Sequence, residues 1–279
     1  MPLVINSNIP SLRAQRHLAE STRGLAKSLE RLSSGLRINS AADDAAGLAL
    51  SDRLRADVRS YAAAERNTNT AISMATTAEA GANEIGSVLT RMRELAVEAA
   101  NGDLVAADRS VLDIEFQELK SEVDRLAETT EFDDTELLAQ AVNTIAFQVG
   151  IHGDSDSQIS VVFGGVSTTG LGITTGTDLD GATAAGATAA ITALDGAIDS
   201  LSTTRASFGA AINRLGHALA HDEAIRTELE SAESAIRDVD IAAETTSLAR
   251  HQVLVEAGLS VIATANQTPS LALLLLSDE

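Results

Sequence analysis

The sequence predicts a mostly α-helical chain: a long antiparallel helical bundle or coiled coil with one small β-hairpin. Three observations carry that expectation. The three prolines, Pro2, Pro10 and Pro269, lie near the ends, so nothing between residues 11 and 268 breaks a helix by losing an amide donor. Aromatic residues make up only 2% of 279 positions, against 44% hydrophobic, so a core must rest on Ala, Leu, Val and Ile, which suits closely paired helices. Aliphatic residues recur at alternating steps of three and four in several windows, the spacing of a helix stripe.

The elements follow in order. Leu25, Leu29, Leu32 and Leu36 form the first stripe, within a segment 1–43. Asp43-Asp44 then caps a helix over 44–100, where carboxylates meet free amides and the positive end of the helix dipole. Val88, Met92, Leu95 and Ala99 stripe that helix, and Asn101-Gly102-Asp103 turns the chain. A second helix over 106–129 carries Leu112, Phe116, Leu119, Val123 and Leu126. Residues 145–149 and 158–163, β-branched and aromatic, flank a Gly/Asp/Ser stretch and predict a hairpin at about 141–163, closing a segment 44–165. Residues 166–189 are mostly Gly, Thr, Ser and Ala and predict an exposed connection. Ile191, Leu194, Ile198 and Leu201, then Ile212, Leu215 and Leu219, predict a helix over 190–238. Leu248, Gln252, Val255, Leu259 and Ile262 predict another in 239–279, which must run antiparallel to the first if the two ends pair.

Lys and Arg total 20 against 40 Asp and Glu, a formal net charge of −20. That balance excludes the basic footprint of a nucleic-acid binder and opposes contact with an anionic membrane. There is no cysteine, hence no disulfide or thiolate site. Residues 1–24 hold no apolar leader core, and the run 271–276 is too short to span a bilayer. If the protein leaves the cell, the expected route is one that removes no leader.

The chemical motifs are weak. His217 and His221 share a helix face, but no Glu follows the first His as in zinc proteases, so the expected reading is an exposed polar face. The Gly153–Asp156 stretch is expected to be a turn, not a cation site. No nucleophile–His–acid set or phosphate-cradling loop appears. No enzyme activity, metal or cofactor is expected. Conversely, an aliphatic helix or helix pair at the chain ends buries too little to offset about 1–2 kcal/mol per residue of backbone ordering, so residues 1–40 and 240–279 are expected to order against neighbours.

The densest patterns are residues 31–47 (RLSSGLRINSAADDAAG) and 240–267 (DIAAETTSLARHQVLVEAGLSVIATANQ), with Ile5-Asn6-Ser7-Asn8, Arg66-Asn67-Thr68 and 89–101 (LTRMRELAVEAAN) between and before them. In these words, in this order, the chain resembles a bacterial flagellin, over about residues 3–165 and 190–276. The resemblance implies a terminal helix pair forming the inner tube of a filament, an outer helical layer with a hairpin, and here a short form lacking variable outer domains. It assigns self-assembly to Ile9, Leu12, Leu29, Leu32, Leu36, Leu248, Val255, Leu259 and Ile262. It implies an extracellular homopolymer serving swimming motility, with flagellar cap and hook–filament junction proteins and an export chaperone as partners. By the same resemblance, Arg91, Leu95 and Glu115 match contacts for the animal Toll-like receptor for flagellin, and Ser167, Thr168, Thr169, Thr174, Thr175 and Thr177 form a candidate O-glycan acceptor region. One departure is Asp133-Asp134 where the family usually turns on Asn-Gly. The competing readings are a flagellin-like hook–filament junction protein and a soluble coiled-coil adaptor. A coiled-coil rod would keep unbroken heptads, whereas this chain has a hairpin and a Gly-rich interruption.

Overall fold

The computed structural model describes residues 7–139, 141–173, 177–180 and 183–277, with side chains to residue 267. Its helices are α1 (Ile9–Ser34), α2 (Ala45–Ala99), α3 (Ala106–Thr129), α4 (Ala185–Arg237) and α5 (Ile241–Ser277). Two antiparallel strand pairs interrupt them, β1 (Glu131–Phe132) with β2 (Thr135–Glu136) and β3 (Asn143–Gln148) with β4 (Gln158–Phe163). The mostly helical class expected from the sequence is the class observed. The chain divides into two compact units, one from Met1–Ala56 and Glu228–Glu279, the other from Asp57–Thr227. The division falls inside α2 and α4, not at the loops the sequence marks.

In the central unit the core follows a sevenfold repeat. α2 buries Ala71, Ala78, Ile85, Met92 and Ala99 on one track and Ala75, Ala82, Leu89 and Ala96 on the other. α4 answers with Ala187, Leu194, Leu201, Phe208 and Leu215, again every seventh residue. Such spacing keeps one seam facing a partner helix along its length. The small Ala tracks of α2 let larger α4 side chains approach. Ion pairs Arg93–Asp195 (2.6 Å), Arg205–Glu79 (2.9 Å) and Arg226–Glu65 (2.7 Å) show that the two helices run antiparallel. α3 adds Phe116 and Val123 to the same core. Its Arg109 is buried and donates to the carbonyls of Ala99 (2.9 Å) and Asn101 (3.0 Å), which satisfies acceptors left open where α2 ends.

The larger hairpin pairs Asn143 with Phe163 through to Gln148 with Gln158. Along β4, Ile159, Val161 and Phe163 are buried in strict alternation, the mark of a strand with one face on the core. Phe163 meets Phe208 of α4 with ring centroids 5.7 Å apart and planes tilted by 33°.

Two features differ from expectation. The Asp133-Asp134 turn forms a second hairpin, with both residues at positive φ (49° and 59°), the two-residue type I′ geometry. Neither residue is glycine, so both bear the left-handed strain. Asp134→Gly is therefore expected to stabilise the subunit by about 0.5–1 kcal/mol, read as a higher urea midpoint with unchanged slope. A lower midpoint would show that the turn is not strained. The second difference is the expected exposed connection, which is largely packed. Val166, Leu171, Ile173 and Leu179 are buried, and Leu179 N–H donates to Asp113 Oδ1 at 2.8 Å. Single aliphatics among Gly and Thr carry no periodicity, yet each fills a place against the helices.

Candidate assembly surface

The unit made from the chain ends rests on α1 against α5. In α1, Asn8 side chain accepts from Ser11 N–H and so caps the start of the helix. Its Nδ2 also donates to Ala265 O (2.9 Å), and Ser11 Oγ donates to Asn266 Oδ1 (2.9 Å). At the other end Arg31 pairs with Glu244 at 3.5 Å, so the helices are antiparallel. The less exposed positions of α1 include Ser11, Ala14, Leu18, Ser21, Leu25, Ser28 and Leu32, in steps of three and four, with Gly24 and Arg31 beside them. Those of α5 include Glu244, Leu248, His251, Val255, Gly258, Ile262 and Ala265, with the same steps, and Ser247 beside them. α1 thus presents one largely aliphatic track and one small one, and its small residues, with Gly258 and Ala265 of α5, let the backbones come close. A Cβ at Gly24 would lie 2.7–2.8 Å from the His251 ring nitrogens, and one at Gly258 would lie 3.3 Å from Leu18 Cδ1.

The loops at the open end of the pair are fastened by backbone bonds. Gly35 adopts φ 74° and ends α1 with its N–H on Arg31 O. Arg37 N–H donates to Arg237 O (2.7 Å), Val239 N–H to Gly35 O (3.0 Å), and Leu36 bridges Asp238. Asp44 Oδ1 accepts from Gly47 N–H (2.9 Å) at the start of α2, and Asp240 Oδ1 accepts from Ala242 N–H (2.9 Å) at the start of α5. Asp43 takes a separate role: its carboxylate pairs with Lys27 of α1 (2.6 Å) and accepts from the N–H groups of Asn39 and Ser40. The Lys27 bond, followed by those two amides, holds the Asp43 carboxyl at about 2 against an ordinary 3.8. Because that value is lowered by folding, the tether is fully present above the ordinary 3.8 and is lost as pH falls through about 2. The Asn39 and Ser40 amide resonances should accordingly titrate with a midpoint near 2, and a midpoint at 3.8 would mean the tether is absent in solution.

The residues assigned to self-assembly separate into two groups. Leu32, Leu248, Val255 and Ile262 lie in the seam within the chain, and Leu36 lies past the end of α1 in the backbone bridge. These five hold the subunit's own helix pair. Ile9, Leu12, Leu29 and Leu259 instead face away from the seam, 45–56% exposed. With them stand Ile241, Val253, Leu254 and Val261, at 46–65%. The stripes drawn from large aliphatics mix both groups, because the seam also uses Ser, Ala and Gly. The repeat of Ala14, Ser21 and Ser28 at sevens, opposite Leu18, Leu25 and Leu32 at sevens, was the signal that separates them.

The residues matched to receptor contacts are only partly brought together. Arg91 on α2 bonds Glu115 of α3 through Nε (3.0 Å) and Nη2 (2.9 Å), and Glu94 through Nη1 (3.1 Å), all at the surface. Glu115 first and then Glu94 push the Arg91 guanidinium above its ordinary value. Leu95 does not share that surface. It is 1% exposed, because the α2 face one turn on from Arg91 turns into the core. In the candidate acceptor region, Thr169 is exposed and Ser167 and Thr177 are half-buried. Thr168 is only 6% exposed, with its N–H and hydroxyl both donating to Asp124 (2.8–2.9 Å), so it is not an accessible acceptor in the folded subunit. Thr174 and Thr175 lie outside the described residues. His217 and His221 are both exposed.

Residues 5–143 match the bacterial flagellin N-terminal helical region, and residues 191–276 match the bacterial flagellin C-terminal helical region. A flagellin of Halalkalibacterium halodurans is 38% identical over 276 residues, covering 98% of this chain and 100% of the relative. Flagellin FlaB2 of Treponema pallidum is 35% identical over 285 residues, with 98% and 100% covered. Flagellin A of Vibrio cholerae, 32% identical, aligns over 378 positions, so it carries chain that this shorter protein lacks. A crystal structure of Bacillus cereus flagellin is similar at 34% identity with a TM-score of 0.48, over 56% of this chain and 88% of that one. The reading as a junction protein is not favoured by these relatives. Aligned with whole flagellins along nearly its full length, the chain belongs to the bacterial flagellin family, the structural subunits of the flagellar filament.

Proposed function

We infer that this flagellin polymerises through the side of the α1–α5 pair turned away from its seam. The carrying observation is the set of large aliphatics left outside a seam already filled, Ile9, Leu12, Leu29 and Leu259 with Val253, Leu254 and Val261. Exposed aliphatics in such number on one helix pair favour contact with another protein surface over contact with water. Identical copies meeting by the same head-to-tail contact build an open helical filament. The terminal pair then forms the inner tube, and the −20 charge of each subunit keeps unassembled copies apart in solution. The filament is extracellular and drives swimming. Cap proteins, hook–filament junction proteins and an export chaperone are its assembly partners.

The test introduces Asp at Leu12 and Leu259 together in the full chain. Both side chains are half exposed and outside the seam, so far-UV circular dichroism should stay unchanged while electron microscopy shows no filaments. Filaments of normal length and diameter from that double variant would exclude this surface.

The Arg91–Glu115 pair is the part of the receptor match that the free subunit offers at its surface, and Leu95 would support it only from within the core. Among the described residues Thr169 is the exposed candidate glycan acceptor, with Ser167 and Thr177 half-buried beside it, and an intact mass equal to the sequence mass would remove that assignment.

A further inference from the structure

The α4 track that faces α2 is apolar at every seventh residue, Leu194, Leu201, Phe208 and Leu215, each no more than 3% exposed. The next residue on that track is Asp222. It is 5% exposed, and its Oδ2 has no hydrogen-bond partner. A carboxylate at a seam position, with an oxygen unsatisfied, is costly when ionised and much less so when neutral. The surrounding groups do not neutralise it. On α2, Glu65 is engaged with Arg226 at 2.7 Å, and the Thr68 hydroxyl donates to Ala64 O at 2.8 Å. Tyr61 and Asp57 stand on the same helix, His221 adjoins Asp222 on α4, and His152 of the hairpin turn lines a recess together with Ala64 and Asn67 of α2.

We propose that Asp222 is a proton-operated latch in the α2–α4 seam: neutral, it lets the helices close around Tyr61, and ionised, it loosens them there. Burial raises the Asp222 carboxyl above its ordinary value; His221 opposes this and Glu65 adds to it. Burial, then Asp222 and Asp57, raise the Tyr61 phenol in the same environment. The sign follows from the raised value. The native seam holds the proton more tightly than the unfolded chain, so its stability falls as pH rises through the folded-state value and is recovered as pH is lowered. A polar residue at one seam position is also a known way to fix register at a cost in stability.

Tyr61 provides a local readout, because it is the single tyrosine of a chain with no tryptophan. Tyrosine emission of the full-length monomer is measured between pH 3 and 8 for wild type, Asp222→Asn, Asp222→Leu and His221→Gln. The wild-type emission should titrate with a midpoint above the usual carboxylate range, and His221→Gln should retain that titration. Asp222→Asn should be flat. Asp222→Leu should be flat as well, with a melting temperature at pH 8 higher by about 3 °C or more, because it restores the apolar track. The same titration in Asp222→Asn, its loss in His221→Gln alone, or a lower melting temperature for Asp222→Leu would each overturn the proposal.

Discussion

Removing residues 1–30 is expected to abolish polymerisation outright while leaving a soluble, partly folded subunit. The deletion takes all of α1 but Arg31–Ser34, and with it Ser11, Ala14, Leu18, Ser21, Leu25 and Ser28 of the seam. Leu248, Val255 and Ile262 of α5 then lose the helix that covers them, and the Gly24 recess for His251 is gone. An unpaired α5 has no tertiary contact to offset its ordering cost of about 1–2 kcal/mol per residue, so it frays. The central unit keeps its own core of α2, α3, α4 and the hairpin, and should still unfold cooperatively. Deleting residues 250–279 removes the other half of the same seam and should give the same result. Sedimentation and electron microscopy read the outcome directly: monomer only, at concentrations where the full chain forms filaments. Filaments of normal diameter from either truncation would mean that the terminal pair is not the polymer contact.

Much of the fold was legible where local chemistry is decisive. The absence of internal proline, the Asp44 cap and the Asn101-Gly102 turn bracket α2 within a residue at each end, and α3 spans the expected residues 106–129. The β-branched and aromatic residues 145–149 and 158–163 announced the larger hairpin in the same way, and its strands span 143–148 and 158–163. What was hidden depends on partners far away in sequence. Leu95 belongs to the apolar stripe of α2 and is buried with it, yet the resemblance matches it to a surface contact, because spacing alone gives which residues share a face and not which face is covered. Val166, Leu171 and Leu179 look like loop residues because their burial comes from neighbouring helices and not from any local pattern. At the assembly surface the difficulty was size. Large aliphatics draw the eye to Leu29 and Leu259, yet the seam closes on Ser28 and Gly258 beside them, and the large neighbours are released to the outside.

Phe208→Ala is expected to be the most damaging single substitution in the central unit, costing about 3–5 kcal/mol. Phe208 is fully buried on the α4 track between Leu201 and Leu215, and its ring lies 5.7 Å from that of Phe163 on β4. At the level set by the Arg205–Glu79 pair, α2 buries Ala75, Ala78 and Ala82, side chains too short to fill the space. The void therefore stays open and the transfer and cavity terms add. Loss of the ring also removes the aromatic contact that holds the β3–β4 hairpin to α4, a further 0.5–1.5 kcal/mol or so. Because a folded domain is stable by only about 5–15 kcal/mol, this is a large fraction of the total. Denaturant unfolding should show a markedly lower midpoint, and hydrogen exchange should rise first at Ile159, Val161 and Phe163, the buried residues of β4. Phe208→Leu should recover more than half of the lost stability, because it refills most of the volume without the ring contact. If Phe208→Ala cost less than about 1 kcal/mol, the α4 seam would be able to collapse around the gap, and the sevenfold packing would be looser than these contacts require.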